Sequence, residues 1–262
     1  MTNWLITGVS SGLGSALAEA ALERGDKVAG TLRNEAGRAG FEQLAPSRSF
    51  GILPDVTDEA SVREGVEDAL RRTGGIDVLV NNAGYGFEGA IEEASLDQVR
   101  AQFAVNVFGA VSVIQTVLPY MRSRRAGHIV NITSMGGLTA FPGVGIYNGS
   151  KYALEGISEA LAKEVKPLGI KVTIVEPGPF RTDWAGRSMV HAERTIEDYD
   201  ATAGAYRRVL AQRNGRQPGD PRKAAEAIML AVAADEPPLH LLLGRTPCGW
   251  SARSSARCKP RS

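Results

Sequence analysis

Cysteine is scarce in this chain of 262 residues: Cys248 and Cys258 are the only two, and both lie near the C-terminus. Such scarcity argues against a disulfide framework and suits a reducing compartment. Histidine is nearly as rare. His128, His191 and His240 are scattered without ligand spacing, so no metal centre is expected from them. His128 opens an apolar run and reads as a structural histidine. Neither sign of charge prevails, with 30 Lys and Arg against 29 Asp and Glu. That balance removes the basic footprint of a nucleic-acid binder. Uncharged apolar runs long enough to cross a bilayer, ~18 residues, are missing. So are the basic start, long apolar stretch and small-residue cleavage site of a signal peptide. The expectation is a cytoplasmic protein with no nucleic-acid or membrane partner.

What is present is alternation. Trp4-Leu5-Ile6-Thr7 reads as a short buried strand. Residues 12–24 have helical periodicity, with Leu13, Leu17, Ala18, Ala21 and Leu22 on one side and Gly25 as the stop. Strand-like runs follow at 27–32, 50–53 and 77–80. Between the last two lies a helix with Thr57 as its expected N-cap, Asp58 and Glu59 in the first turn, and Gly74-Gly75 as its end. Residues 96–124 predict one long helix, closed by Arg122, Arg124 and Arg125, cations that suit a C-terminal helix end. A strand at 128–133, a helix at 147–168 and a strand at 171–175 come next. Asp220-Pro221 opens a last helix to about Ala234, and 239–243 is the final apolar run. This order predicts an α/β fold, a doubly wound sheet of parallel strands joined by helical crossovers, in a single domain. The stretch 178–219 is too long for a plain connection, which predicts a lid or binding segment.

The first strand runs into Thr7-Gly8-Val9-Ser10-Ser11-Gly12-Leu13-Gly14 and then into a helix. Glycines let a backbone turn tightly and approach a pyrophosphate, and a helix start aims free N–H groups at that anion. A tight strand–helix connection needs glycine too. Position decides between the readings: a turn placed first in the chain, after a strand and before a helix, has the context of a dinucleotide site.

Its spacing, Gly-x3-Gly-x-Gly, resembles the short-chain dehydrogenase/reductase family, and the resemblance continues to about Gly244. Asp55-Val56 matches the pair that the family sets against adenine. Asn81-Asn82-Ala83-Gly84 matches its Asn-Asn-Ala-Gly motif. Asn106 and Ser134 fall where the family keeps an active-site asparagine and serine. Tyr147 and Lys151 form its Tyr-x3-Lys pair, and Pro177-Gly178 follows the sixth strand, with Thr182 downstream. The resemblance implies a seven-stranded parallel sheet and a homodimer or homotetramer built on the fourth and fifth helices. It implies Asn106, Ser134, Tyr147 and Lys151 as the catalytic group. Tyr147 and Lys151 would also hold the cofactor, with Gly8, Ser10, Ser11, Gly12, Leu13, Gly14, Asp55, Val56, Asn81, Ala83, Gly84, Pro177, Gly178 and Thr182.

The residue types suit acid–base work. Tyr147 and Lys151 stand four apart, so a helix puts them on one face. A free tyrosine has a pKa near ~10. A neighbouring ammonium lowers that value toward the working range of a general base. Ser134 would bind the substrate oxygen, and Asn106 would hold a water linking Lys151 to solvent, as the resemblance implies. The activity implied is hydride transfer between NADP(H) and a small-molecule alcohol or carbonyl. Two other readings share these motifs. Epimerases and dehydratases of the wider family usually show Gly-x2-Gly-x2-Gly and a longer chain. A nucleotide-sensing regulator on this fold often lacks the tyrosine or the serine.

NADP is expected over NAD. After the second strand the chain reads Gly30-Thr31-Leu32-Arg33-Asn34. Enzymes preferring NAD place a carboxylate near that strand end. Thr31 carries no charge, and the guanidinium of Arg33 suits a 2′-phosphate. Glu35 is a competing signal, because turned inward it would favour NAD. Gly136, Gly137, Leu138, Phe141, Pro142, Val144, Phe180, Trp184 and Met189 are candidate pocket residues, and their apolar tone suggests an apolar substrate. Residues 245–262 turn to arginine, serine, proline and cysteine with no apolar period, which predicts a poorly ordered tail dispensable for cofactor binding.

Overall fold

A computed structural model describes residues 1–244; the tail 245–262 lies outside the described residues. In chain order the elements are β1 (Asn3–Ile6), α1 (Gly12–Glu23), β2 (Lys27–Thr31), α2 (Glu35–Leu44), β3 (Ser49–Ile52), α3 (Glu59–Thr73), β4 (Val78–Asn81), β5 (Gly86–Glu88), α4 (Leu96–Phe103), α5 (Ala110–Arg124), β6 (Gly127–Ile132), α6 (Gly145–Val165), β7 (Ile170–Pro177), β8 (Met189–His191), α7 (Ala205–Arg213), α8 (Pro221–Ala233) and β9 (His240–Leu243). Seven strands form one parallel sheet in the order β3-β2-β1-β4-β6-β7-β9. The order reverses at β1 and β4, and ligands of open α/β sheets bind at such a switch point, beyond the carboxyl ends of the strands.

Both faces of the sheet are covered, which explains strands that read as continuous apolar runs. Trp4, Ile6, Val28, Val80, Val130 and Val175 pack with Leu17 and Ala21 of α1 and Ala225 and Ile228 of α8. Leu5, Leu79 and Ile129 point the other way, onto Val62 and Val66 of α3, Val113 and Val117 of α5, and Leu161 of α6. Each valine, leucine or isoleucine among them, fully buried, contributes about 1.5–3 kcal/mol of hydrophobic stabilisation.

Several boundaries differ from the sequence reading. The N-cap of α3 is Asp58, whose carboxylate accepts from Ala60 and Ser61 N–H. The first intrahelical bond runs from the Val62 N–H to the Asp58 carbonyl, and Thr57 lies in the Asp55–Asp58 turn before it, its hydroxyl donating to Asp55 at 2.7 Å. Gly74 does end this helix, in the left-handed conformation at φ 85°. The long helix of residues 96–124 is interrupted by a π-helical segment, Ala104–Gly109, between α4 and α5. By length and composition Leu96–Arg124 is apolar enough to cross a membrane, although the sequence expectation was that no run would be. Its face Val113, Ile114, Val117 and Met121 is core. α6 starts at Gly145 and stops at Val165, where Lys166–Leu168 tightens into a 3-10 turn.

The 178–219 stretch is more structured than its periodicity suggests. It contains β8, which pairs in parallel with β5 from Gly86↔Met189 to Glu88↔His191, and α7. Arg207 of α7 fastens this segment to the body, with Nε 2.7 Å from the buried Glu88 and NH2 3.4 Å from the buried Glu93. Glu93 also accepts from the Ile196 N–H at 2.8 Å.

Candidate active site

The carboxyl ends of β1, β4, β6 and β7 converge on one cavity of about 1150 Å³. At its first end lies the turn between β1 and α1. Gly8 and Gly12 hold φ of +73° and +65° there, values that side-chain-bearing residues rarely adopt. Ser11 caps α1 without a side-chain hydrogen bond, and the first turn has no acidic residue. The leading N–H groups therefore stay available for an anion. Gly8, Ser10, Ser11, Gly12 and Leu13 line the cavity. Gly14 does not, and its role is packing: a Cβ there would stand 2.2 Å from the Gly8 carbonyl oxygen.

The turn after β4 is tied to the turn after β1. Asn82 Nδ2 donates to the carbonyl oxygens of Thr7 and Gly8, each at 2.9 Å, while the Thr7 hydroxyl accepts from the Asn82 and Ala83 N–H groups. Ala83 and Gly84 line the cavity beside Asn82. Asn81 does not. It points along the sheet, its Nδ2 donating to Asn131 at 2.9 Å. Strand alternation turns it toward the interior, so Asn82 takes the position in the cavity wall that the motif suggested for Asn81.

Beyond the ends of β2 and β3 the cavity is lined by Thr31, Leu32, Arg33, Asp55 and Val56. Thr31 is committed, since its Oγ1 accepts from the Gly8 N–H at 2.8 Å. Glu35 does not turn inward: it begins α2 and pairs with Arg38 at 2.9 Å. Asn34 caps the same helix through Gly37. Among the described residues no carboxylate pairs with Arg33. Asp55 spends one oxygen on the N–H and hydroxyl of Thr57, which holds its carboxyl below the usual value.

Next come the residues suited to acid–base chemistry. Ser134, Tyr147 and Lys151 all line the cavity and are all buried. Burial pushes the Tyr147 phenol up to about 12, with a hydrogen bond from Ser134 working against it. Burial likewise pushes Lys151 down to about 8, opposed by the charge of Glu155. The ammonium donates to the Ile132 carbonyl oxygen at 2.9 Å and lies 5.9 Å from the Tyr147 ring centre. The simple expectation of a tyrosine lowered by its lysine is therefore not met: burial dominates. Ser134 accepts from the Gly136 N–H at 2.9 Å, so its own proton is left to donate.

Asn106 sits in the π-helical segment and does not line the cavity. Its amide donates to the Tyr85 carbonyl and to Ser150 Oγ, both at 3.1 Å, and its Oδ1 accepts from the Tyr85 N–H at 3.1 Å. One lone pair of Oδ1 remains to hold a water. Ser150 in turn donates to the Tyr147 carbonyl oxygen at 2.7 Å, which ties the asparagine to the helix carrying Tyr147 and Lys151.

Comparison with known proteins decides what this arrangement is. A sequence model described as short chain dehydrogenase matches residues 2–192. The chain belongs to the short-chain dehydrogenase family. It is 41% identical over 243 residues to the 3-ketodihydrosphingosine reductase of Bacteroides thetaiotaomicron, covering 92% of this chain and 87% of that one. A short-chain dehydrogenase from Streptomyces avermitilis superposes with TM-score 0.90 at 42% identity, covering 98% of this chain and 93% of that one. A short-chain dehydrogenase/reductase from Burkholderia phymatum in complex with NAD has TM-score 0.83 at 26% identity, with 100% and 96% covered. The protein is thus an oxidoreductase acting on small molecules at a CH–OH or C=O carbon, in a family whose members bind nicotinamide dinucleotides.

In this short-chain dehydrogenase the far end of the cavity is aromatic. Trp184 meets Tyr147 at a centroid distance of 5.1 Å, and Tyr206 stacks on Phe141 at 5.6 Å. Gly136, Val144 and Phe180 also line it, as do Pro177, Gly178 and Thr182. Gly137, Leu138, Pro142 and Met189 do not. Tyr85, Tyr206, Val209 and Leu210 do, although the sequence reading missed them. The signal was present in α7, where Tyr206 and Leu210 are four apart on one face.

Proposed function

We propose that this short-chain dehydrogenase moves a hydride between NADP(H) and an apolar alcohol or carbonyl compound, with Tyr147 as the acid–base residue. One observation carries the reading: a single cavity runs from an uncapped helix start, past Tyr147, Lys151 and Ser134, to aromatic walls.

The residues present suit the dinucleotide. The glycine turn would hold the pyrophosphate, Asp55 and Val56 the adenine, Pro177, Gly178 and Thr182 the nicotinamide side, and Lys151 the ribose. NADP is favoured because Arg33 borders the adenosine end, while Thr31 and Glu35 bring no charge to it. When bound, the nicotinamide supplies or accepts the hydride. Ser134 donates to the substrate oxygen as charge builds there. In reduction Tyr147 gives its proton to that oxygen, and in oxidation it takes the proton back. Lys151 favours the phenolate by its charge, and Asn106 holds a water through which the lysine exchanges protons with solvent.

Phe141, Val144, Trp184, Tyr206 and Leu210 make the substrate end apolar. The relative named as a 3-ketodihydrosphingosine reductase supports a ketone as the substrate. Exposed Leu96 on α4, Phe108 beside α5 and Tyr152 on α6 support a homodimer or homotetramer through those helices. A panel of apolar ketones and alcohols, followed by cofactor absorbance with NADP(H) and NAD(H) in parallel, tests the proposal. Turnover of at least one ketone, faster with NADPH, is expected. A panel turned over only with NADH would remove the NADP assignment, and failure across the panel would remove the substrate class.

A further inference from the structure

Behind the catalytic lysine lies a cluster of ligand atoms that the reaction does not use. Glu155 is one helical turn beyond Lys151 on α6, Glu176 is next to last in β7, and His240 opens β9. One ligand atom from each lies within 4.8 Å of the others. Glu155 is 6% exposed and Glu176 is fully buried. Neither oxygen of Glu155 has a hydrogen-bond partner, and Oε2 of Glu176 has none either. The Thr133 hydroxyl beside them gives its proton to the Val175 carbonyl at 2.9 Å. Oε1 of Glu176 is engaged, with His240 Nδ1 at 2.7 Å, and the Leu241 N–H also favours this carboxylate.

Buried acceptors that face one another with few donors are costly in a protein interior, and a shared proton, an unseen ion or a water is a regular explanation. The chemistry of this set is specific. Two carboxylates and an imidazole suit a divalent transition metal such as Mn²⁺ or Zn²⁺. A further carboxylate stands at the rim: Glu159 Oε1, half exposed, is 3.8 Å from His240 Nε2. His240 is itself partly exposed, so an ion can enter between these two side chains. Sequence spacing carried no sign of the cluster, because its members come from three elements that only the fold brings together.

We propose that Glu155, Glu176 and His240 form a binding site for one divalent transition-metal ion, with Glu159 at its open side. The ion replaces the proton shared by His240 and Glu176 and ties α6, β7 and β9 together behind the cavity.

Calorimetric titration of the full-length, untagged, EDTA-treated and nucleotide-free protein with MnCl₂ at pH 8 tests this. Mn²⁺ is the better probe because the thiols of Cys248 and Cys258 compete poorly for it. One equivalent should bind, with a rise in Tm. Glu155→Gln and His240→Ala should each weaken binding by about tenfold or more. If Glu155→Gln does not fold, as judged by circular dichroism, the comparison rests on His240→Ala at the partly exposed position. No binding at millimolar Mn²⁺ would overturn the site and leave protons as the only occupants. Unchanged affinity in the folded variants would place the ion elsewhere and overturn it equally.

Discussion

Lys151 Nζ donates to the carbonyl oxygen of Ile132 at 2.9 Å and stands 5.9 Å from the centre of the Tyr147 ring. The two side chains share a helix face, yet burial sets both of their proton affinities, raising the phenol to about 12 and lowering the amine to about 8. Tyr147 therefore rests as a neutral acid, suited to reduction, while the charge on Lys151 is easily lost.

Removing the phenol proton should stop turnover and spare the fold. In Tyr147→Phe the ring still packs on Trp184, 5.1 Å away. Acid–base groups contribute about 10²–10⁴-fold to rate, so kcat should fall by that factor while cofactor affinity holds. A variant that kept most of its activity on a validated substrate would rule out Tyr147 as the acid–base residue.

The lysine should appear in the pH profile. With Lys151 at about 8, the ammonium is present below that pH and lost above it. In the reductive direction kcat/KM should be flat to about pH 8 and then decline. Arginine keeps its proton in this range. Lys151→Arg should therefore be slower overall but show no decline between about pH 8 and 10. A decline at the same pH in the variant would assign it to another group.

The strand–helix order was legible because the apolar periods are strong: Trp4-Leu5-Ile6 and the Leu13–Leu22 stripe leave little choice. The meeting of Ser134, Tyr147 and Lys151 in one cavity was legible because a motif fixes residue type and spacing together. Other features carry no local signal. α2 buries only Phe41, and α7 buries no residue fully, so neither has a full apolar stripe. Thr57 and Asp58 are both good caps, and the choice between them is made by register, the first intrahelical bond running from the Val62 N–H to the Asp58 carbonyl. Asn81 and Asn82 differ only in which way the strand turns them. The π-helical turn at Asn106 and the meeting of Glu155, Glu176 and His240 are tertiary facts, set by what packs across tens of residues.

His128 should make stability depend on pH. Its Nε2 bonds Thr173 Oγ1 at 2.9 Å, and because that hydroxyl donates to the Pro238 carbonyl, the ring nitrogen is the donor. Burial, aided by the charge of Lys171, pushes the ring down to about 4 from its ordinary 6.5. The unfolded chain then takes up this proton first as pH falls. The stabilisation is fully present above about pH 6.5 and lost on the way to about pH 4, on the order of 3 kcal/mol in all. His128→Gln should lower Tm at pH 7 but lose less further stability between pH 7 and 5 than the wild type. Equal losses would show that other groups dominate that range.

The proposed preference for NADP rests on Arg33. Its guanidinium borders the end of the cavity proposed for adenosine, with no carboxylate paired to it among the described residues. Thr31 faces the Gly8 N–H, Glu35 pairs with Arg38, and Asn34 caps α2, so none of the three competes for the ribose. A guanidinium gripping a phosphate makes two charge-assisted hydrogen bonds, each worth about 1.5–3 kcal/mol. Solvent at this exposed position reduces that gain. Arg33→Ala should therefore raise the KM for NADPH about tenfold or more, since each ~1.4 kcal/mol is a factor of ten. The KM for NADH should hardly move, and kcat should hold with both, because the reacting carbon lies at the other end of the cavity. Comparing kcat/KM for the two cofactors in wild type and variant is the measurement. A wild type that uses NADH better would end the NADP assignment. An unchanged preference in the variant would keep NADP and move its recognition to other groups, such as Ser10, which borders the same cavity.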